Sequence, residues 1–152
     1  MPRYKLIIEY DGTPFHGWQR QANGRSVQEC LEHAVLEFCG ETVTLNAAGR
    51  TDAGVHALGQ VAHVDLAQKY STHTVQNALN FHLRLNPIAV IKAECVDRDF
   101  HARFSAIGRH YRYRILNRSA PPVMDFNRVI LFNARQWETR FQGSLAHDIA
   151  KT

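Results

Sequence analysis

The sequence predicts an α+β domain, and three observations predict it. Apolar and polar residues alternate at the start, in RYKLIIEY over residues 3–10. A capping signature at Ser26 and Glu29 opens a stretch with helical spacing. The two patterns then recur in the order strand, strand, helix, strand before residue 97. The chain has 152 residues, enough to bury one core, and 45% of them are hydrophobic.

In the first strand, Leu6 and Ile8 alternate with Lys5, Ile7 and Glu9, giving one apolar and one mixed face. Residues 11–25, DGTPFHGWQRQANGR, are rich in Gly, Pro and Asn and form a loop. It is long for a plain connection, and such loops are often functional. Ser26 and Glu29 form a capping box, each side chain satisfying an orphan N–H at a helix start. Val27, Cys30, Leu31, Ala34, Val35 and Phe38 follow on one helical face, and Gly40 is the expected stop. Cys30 is accordingly read as a small core residue rather than a reactive thiol.

TVTLNAA (42–48) reads as a second strand, and GQVAHVDL (59–66) as a third with Ala62, Val64 and Leu66 on one face. Residues 73–84 read as a second helix, with Val75, Ala78, Leu79, His82 and Leu83 on one side and Asn86-Pro87 breaking it. IAVIKAECV (88–96) is a fourth strand. HYRYRIL (110–116) reads as a fifth, with His110, Arg112 and Arg114 on one face and Tyr111, Tyr113 and Ile115 on the other. The order β-α-β-β-α-β plus an additional strand is the ferredoxin-like arrangement. Its antiparallel sheet carries both helices on one face and leaves the other open. Several RNA-binding modules use such a face.

The formal net charge is +4, and most of the basic residues are arginines, which suit bidentate contacts to phosphate. No apolar run approaches the roughly 20 residues that span a bilayer, and MPRYKLIIEY lacks a signal-peptide layout. Three cysteines without a CxxC point to a reduced, cytoplasmic setting. Despite nine histidines there is no H-E-x-x-H and no Cys/His pair at zinc spacing. Neither a Walker A motif nor a dinucleotide-binding glycine fingerprint is present. None of the metal or nucleotide-cofactor motifs sought is present.

The segment GRTDAGVHA (49–57) sets Arg50 and Asp52 between two glycines. Asp52 can be a turn residue that bonds its own backbone. It can also be a carboxylate kept ionised by Arg50 and used as nucleophile or base. Arg50 can equally anchor a phosphate. The series Arg98, Arg103, Arg109, Arg112, Arg114 and Arg118 is either a solvated face or a phosphate-contacting one beside rings that stack on bases. Phe15, His16, Trp18 and Arg20 in the first loop suit nucleic acid, and they also suit a loop that packs its rings inward. His56 and His63 are read as structural or RNA-facing.

These motifs together resemble the TruA-type tRNA pseudouridine synthases. The shared stretches are YDGTPFHGWQRQ (10–21), SVQE (26–29), GRTDAGVHA (49–57), GQVAHV (59–64), FHARFSA (100–106) and RHYRYRI (109–115), in order across residues 3–118. The resemblance implies that Asp52 is the catalytic nucleophile and that Arg50 assists base extrusion. It also implies that Tyr111 packs on the target base and that Arg103 lies along the RNA cleft. It further implies a cofactor-free isomerisation of uridine at tRNA positions 38 to 40, by a homodimer with tRNA as partner. A flipped uridine is the substrate form such chemistry needs. Residues 1–118 are expected to form the subdomain bearing the catalytic Asp, with 119–152 a divergent tail. From about Asn133 the sequence departs from the family's pattern. An RNA-binding fragment without turnover is the alternative function.

Overall fold

The alternation in the first residues becomes strand β1 (Arg3–Tyr10), whose Tyr4, Leu6, Ile8 and Tyr10 are buried. In this computed structural model, which describes residues 1–132, β1 is followed by α1 (Val27–Cys39), β2 (Asn46–Ala47), β3 (Ala57–Asp65), α2 (Thr72–Leu83) and β4 (Ile88–Val96). These lie in a first unit, Met1–Arg109, and β5 (Ile115–Asn117) and β6 (Ile130–Phe132) lie in a second that starts at His110. Residues 133–152, where the sequence pattern permits a short helix, lie outside the described residues.

The first unit holds one antiparallel sheet in the order β2-β3-β1-β4. The two central strands are β1 and β3, and the sequence-adjacent strands β1 and β2 are separated by β3. With two helices this is the expected ferredoxin-like α+β arrangement. The helix faces match their spacing: Val27, Cys30, Leu31, Ala34 and Val35 of α1 and Val75, Leu79 and Leu83 of α2 are buried. They pack with Ala62 and Val64 of β3 and with Ile88, Val90 and Ala93 of β4 in one core.

Ser26 caps α1 by accepting the Glu29 N–H at 3.2 Å. Gly40 ends the helix at φ +76°, with its N–H on Leu36 O at 2.8 Å. Ser71 caps α2 through the Thr74 N–H at 3.0 Å. Next to a register shift between β1 and β4, the Asn80 side chain clasps Val90, accepting its N–H at 2.8 Å and donating to its carbonyl at 2.9 Å.

Two expected strands differ. The strand expected over 42–48 shrinks to Asn46–Ala47. The reason is that Leu45 bonds α1 side chains instead of a neighbouring strand. Its N–H donates to Glu32 Oε1 (3.1 Å) and its carbonyl accepts from Gln28 Nε2 (3.2 Å). Glu32, 7% exposed, also accepts from Gln28 Nε2 at 2.9 Å and from Arg20 Nη1 at 3.1 Å. Gln28 Oε1 takes the Arg20 N–H at 3.0 Å. This buried network ties α1 to the first loop and to the approach to β2.

The strand expected over 110–116 is also shorter, at Ile115–Asn117. It pairs in parallel with β6, a two-stranded sheet of its own. Among the described residues no strand pairs alongside 110–114, and all five are exposed. Without a ladder, alternation alone does not make a strand.

Glu32→Ala should destabilise the first unit by about 3 kcal/mol, because it leaves the Leu45 N–H and one of the two Gln28 amide N–H groups buried without an acceptor. The measurement is the urea midpoint, and Glu32→Gln, which keeps an acceptor oxygen, should lose less than half as much. An alanine variant as stable as the parent would show that water replaces the carboxylate.

Candidate active site

The segment from Gly49 to Ala57 owes its shape to the loop before α1. Trp18 N–H donates to Thr51 O at 3.0 Å, and Gly54 N–H donates to Phe15 O at 3.2 Å. The Tyr10 hydroxyl meets Thr51 Oγ1 at 2.8 Å. Burial pushes the Tyr10 phenol above its usual range, so it keeps its proton for such bonds. Gly12 N–H donates to His56 Nδ1 at 3.0 Å, and that nitrogen lies 3.1 Å from Asp11 Oδ1. From the other side, Gln60 Nε2 donates to Gly49 O at 2.7 Å.

Two glycines of the loop make this contact possible. A Cβ on Gly17, whose φ is +93°, would stand 2.4 Å from Thr51 O and 3.1 Å from Asp52 C. One on Gly12 would stand 2.0 Å from Val55 O. Only a residue without a side chain lets the two backbones lie this close. Phe15 and Trp18, 2% and 1% exposed, are the loop's anchors in the core. Of the two roles open to them in the sequence, inward packing is the one they take.

Asp52 itself sits at the head of a turn. Its carbonyl accepts the Val55 N–H at 3.2 Å, and Gly54 adopts φ +78°. The side chain is exposed and takes no hydrogen bond or ion pair among the described residues, so it does not brace its own turn. Asp11 does that in its own loop, accepting the Thr13 N–H at 2.9 Å. Arg50 is exposed as well, and among the described residues no ion pair joins it to Asp52. The electrostatic pairing that the spacing allows is not formed.

Arg103 is exposed in the same unit, in a segment that follows β4. That segment is tied through Arg109 to Ala48, four residues before Asp52. The Arg109 guanidinium donates to Ala48 O from Nε (3.1 Å) and Nη2 (2.8 Å), and to Arg103 O at 3.3 Å. The sequence places Arg109 in a series that is either a solvated face or a phosphate-contacting one, whereas the structure engages its guanidinium with backbone carbonyls. Tyr111 belongs to the second unit, 70% exposed, with no ring contact among the described residues.

Sequence reasoning did not single out Tyr10, Gly17 or Gln60 as supports of the turn. Their signal is the presence of YDG and of Gly17-Trp18 in a loop too long for a plain connection. Two surface concavities lie elsewhere. One of about 240 Å³ is lined by Arg25, Glu29, Cys30, His33, His82 and Asn86. The other, about 580 Å³, is lined by Cys95, Val96, Asp97, Asp99, Phe100 and Ser105. All three cysteines are free, and burial raises the Cys30 thiol. Among the described residues no group of three or more His, Cys, Asp or Glu is placed to hold a metal ion. No helix there is long and apolar enough to cross a membrane.

Fold and turn together define a class: a ferredoxin-like domain that presents, from a turn backed by main-chain hydrogen bonds, a carboxylate with no partner among the described residues. A family model described as tRNA pseudouridine synthase matches residues 6–105, and the chain belongs to that family. It is 64% identical over 128 residues to the tRNA pseudouridine synthase A of Paramagnetospirillum magneticum, covering 84% of this chain and 50% of that protein. The namesake from Methylorubrum populi is 64% identical over 124 residues, covering 82% and 49%. That from Methylobacterium radiotolerans is 54% identical over 153 residues, covering 99% of this chain and 58% of its own length. This last match runs on past residue 133, where the sequence pattern alone marks a departure from the family. The chain spans about half the length of the curated relatives it matches.

Gly17→Ala is expected to cost about 2–4 kcal/mol, combining backbone strain with a clash against Thr51. Gly40→Ala is the control, since its added methyl meets nothing within 4 Å and only its φ of +76° is strained. Thermal unfolding of both variants checks this, and equal losses would mean that the close approach to Thr51 carries no weight.

Proposed function

We propose that the chain is the Asp52-bearing part of a tRNA pseudouridine synthase that converts uridine to pseudouridine on the 3′ side of the anticodon stem-loop. The observation that carries this is the Asp52 carboxylate: the main chain on both sides of it is held by the loop before α1, at Thr51 and Gly54, while its side chain has no partner among the described residues. Membership of the family and the names of the relatives support the substrate and the reaction.

In that reaction the C1′–N1 bond breaks, the base turns, and a C1′–C5 bond forms. C5 gives up its proton and N1 gains one, so the product is an isomer of the substrate. The uridine must leave the helix stack to be reached. Asp52 serves as nucleophile or base on the extruded nucleotide. Arg50 supports extrusion, Tyr111 offers a ring face to the base, and Arg103 contacts the phosphate backbone. The remaining half of the relatives' length supplies the rest of the cleft, and the intact enzyme acts as a homodimer. No cofactor takes part in this reading.

The test is tritium release from tRNA labelled at uridine C5. Turnover should fall by at least about a thousandfold in Asp52→Asn. Background release from both proteins, with tRNA still bound, would replace this reading with RNA binding alone. Binding should weaken steeply between about 50 and 200 mM salt as phosphate contacts exchange for counterions. Affinity indifferent to salt would exclude a phosphate-lined surface.

A further inference from the structure

His63 alternates with the core residues Ala62 and Val64 and pairs across the strands with Lys5, so it stands on the sheet face away from the helices. It is nevertheless only 3% exposed. The cover is the segment of residues 97–105. Ala102 N–H donates to His63 Nδ1 at 3.1 Å, and the imidazole meets the Phe100 and His101 rings edge-on at 6.2 and 4.7 Å. Arg3 fastens the same segment, donating from Nη1 to Arg98 O (2.6 Å) and Phe100 O (2.7 Å) while its Nε and Nη2 hold Asp65 at 2.7 Å each.

The Ala102 bond requires an imidazole whose Nδ1 is an acceptor, which a protonated ring is not. Protonation would set two donors against each other and add a positive charge beside Arg3 and Lys5. The charged groups that act on His63 are Arg3 from β1, Asp65 from β3 and His101 from the covering segment. Lys5 is its cross-strand partner on β1, Glu94 of β4 pairs with Lys5 in turn, and Arg98 and Asp99 act on Asp65 and Arg3 respectively. The two strand carboxylates are engaged: Asp65 by Arg3, and Glu94 by Lys5 at 3.0 Å and Lys92 at 2.6 Å. Burial, then Arg3, then His101 hold the His63 ring below its usual range, against a smaller pull from Asp65.

We propose that His63 is a positioning residue whose neutral imidazole latches residues 97–105 to the sheet and so holds Arg103 beside the base of the Asp52 turn, and that its protonation releases the segment. The connection to the turn runs through Arg109, which bridges Arg103 O and Ala48 O. That the held arginine serves RNA rests on the function proposed above; the latch does not.

The sign follows from the lowered folded value. The latch is complete above the unfolded histidine range, near 6.5, and is lost as pH falls through the folded value. Asp65, held low by its bonds to Arg3, titrates below the ordinary carboxylate range and therefore in a lower window.

The experiment follows the Ala102 amide and the His63 ring by NMR from pH 7.5 to 4.5. Protection of Ala102 from hydrogen exchange should fall about tenfold per pH unit within the window where His63 takes up its proton. His63→Asn, whose Oδ1 replaces the Nδ1 acceptor and does not titrate, should keep Ala102 protected throughout. His63→Leu should leave it unprotected at every pH. Ala102 protection that persists after His63 has titrated would overturn the latch, as would loss of protection in the Asn variant at pH 7.5. In parallel, tRNA affinity at fixed salt should drop across the same window in the parent and not in His63→Asn. A latch that opens without a change in tRNA affinity would overturn the link to RNA and leave the latch standing.

Discussion

The surroundings of Asp52 depend on one constraint: two stretches of backbone must lie closer than any side chain would permit. Gly12 and Gly17 meet Val55 and Thr51 with no space for a Cβ. Main-chain bonds from Trp18 and to Phe15 then cross the gap. Those bonds can form only because Phe15 and Trp18 sink the loop into the core. The chain of cause runs from buried rings, through glycine clearance, to a turn with a fixed path. Such a turn fixes the main chain that carries Asp52, whose side chain has no partner among the described residues.

Elsewhere, side chains take over bonds that a longer strand would have made. Glu32 and Gln28 satisfy Leu45, and Asn80 satisfies Val90 beside the register shift. Arg3 and His63 do the same for the backbone of residues 97–105. Buried backbone groups must find partners somewhere. Here the partners are polar side chains on the helices and strands, so irregular segments are fastened to regular ones. Such connections are less forgiving than a ladder, since one side chain often serves several groups at once.

Much of the fold was legible in the sequence. Alternation located β1 and β3, IAVIKAECV reads as β4, helical spacing located both buried helix faces, and Ser26 and Gly40 marked the ends of α1. What failed was strand length where a partner is decisive. TVTLNAA has the composition of a strand, but nothing in it tells that Glu32 will claim Leu45. HYRYRIL alternates strictly, yet alternation describes a surface and not the neighbour that must cover it. For the site, GRTDAGVHA drew attention to Asp52 directly. The absence of an Arg50–Asp52 pair was not legible, because proximity in sequence does not set rotamers. Arg109 looked like one more arginine of a series, and only its geometry reveals that it binds carbonyls.

The loop over residues 11–25 has one more implication. Segments that touch nucleic acid are often mobile before binding, and ordering them then subtracts from affinity. This loop is anchored by two buried rings and by main-chain bonds within the free domain. Its conformational entropy is surrendered once, when the domain folds, and is not surrendered again when a partner arrives. On the function proposed above, tRNA would meet this part of the surface already in shape, and the ordering cost would not be deducted from contacts made to it.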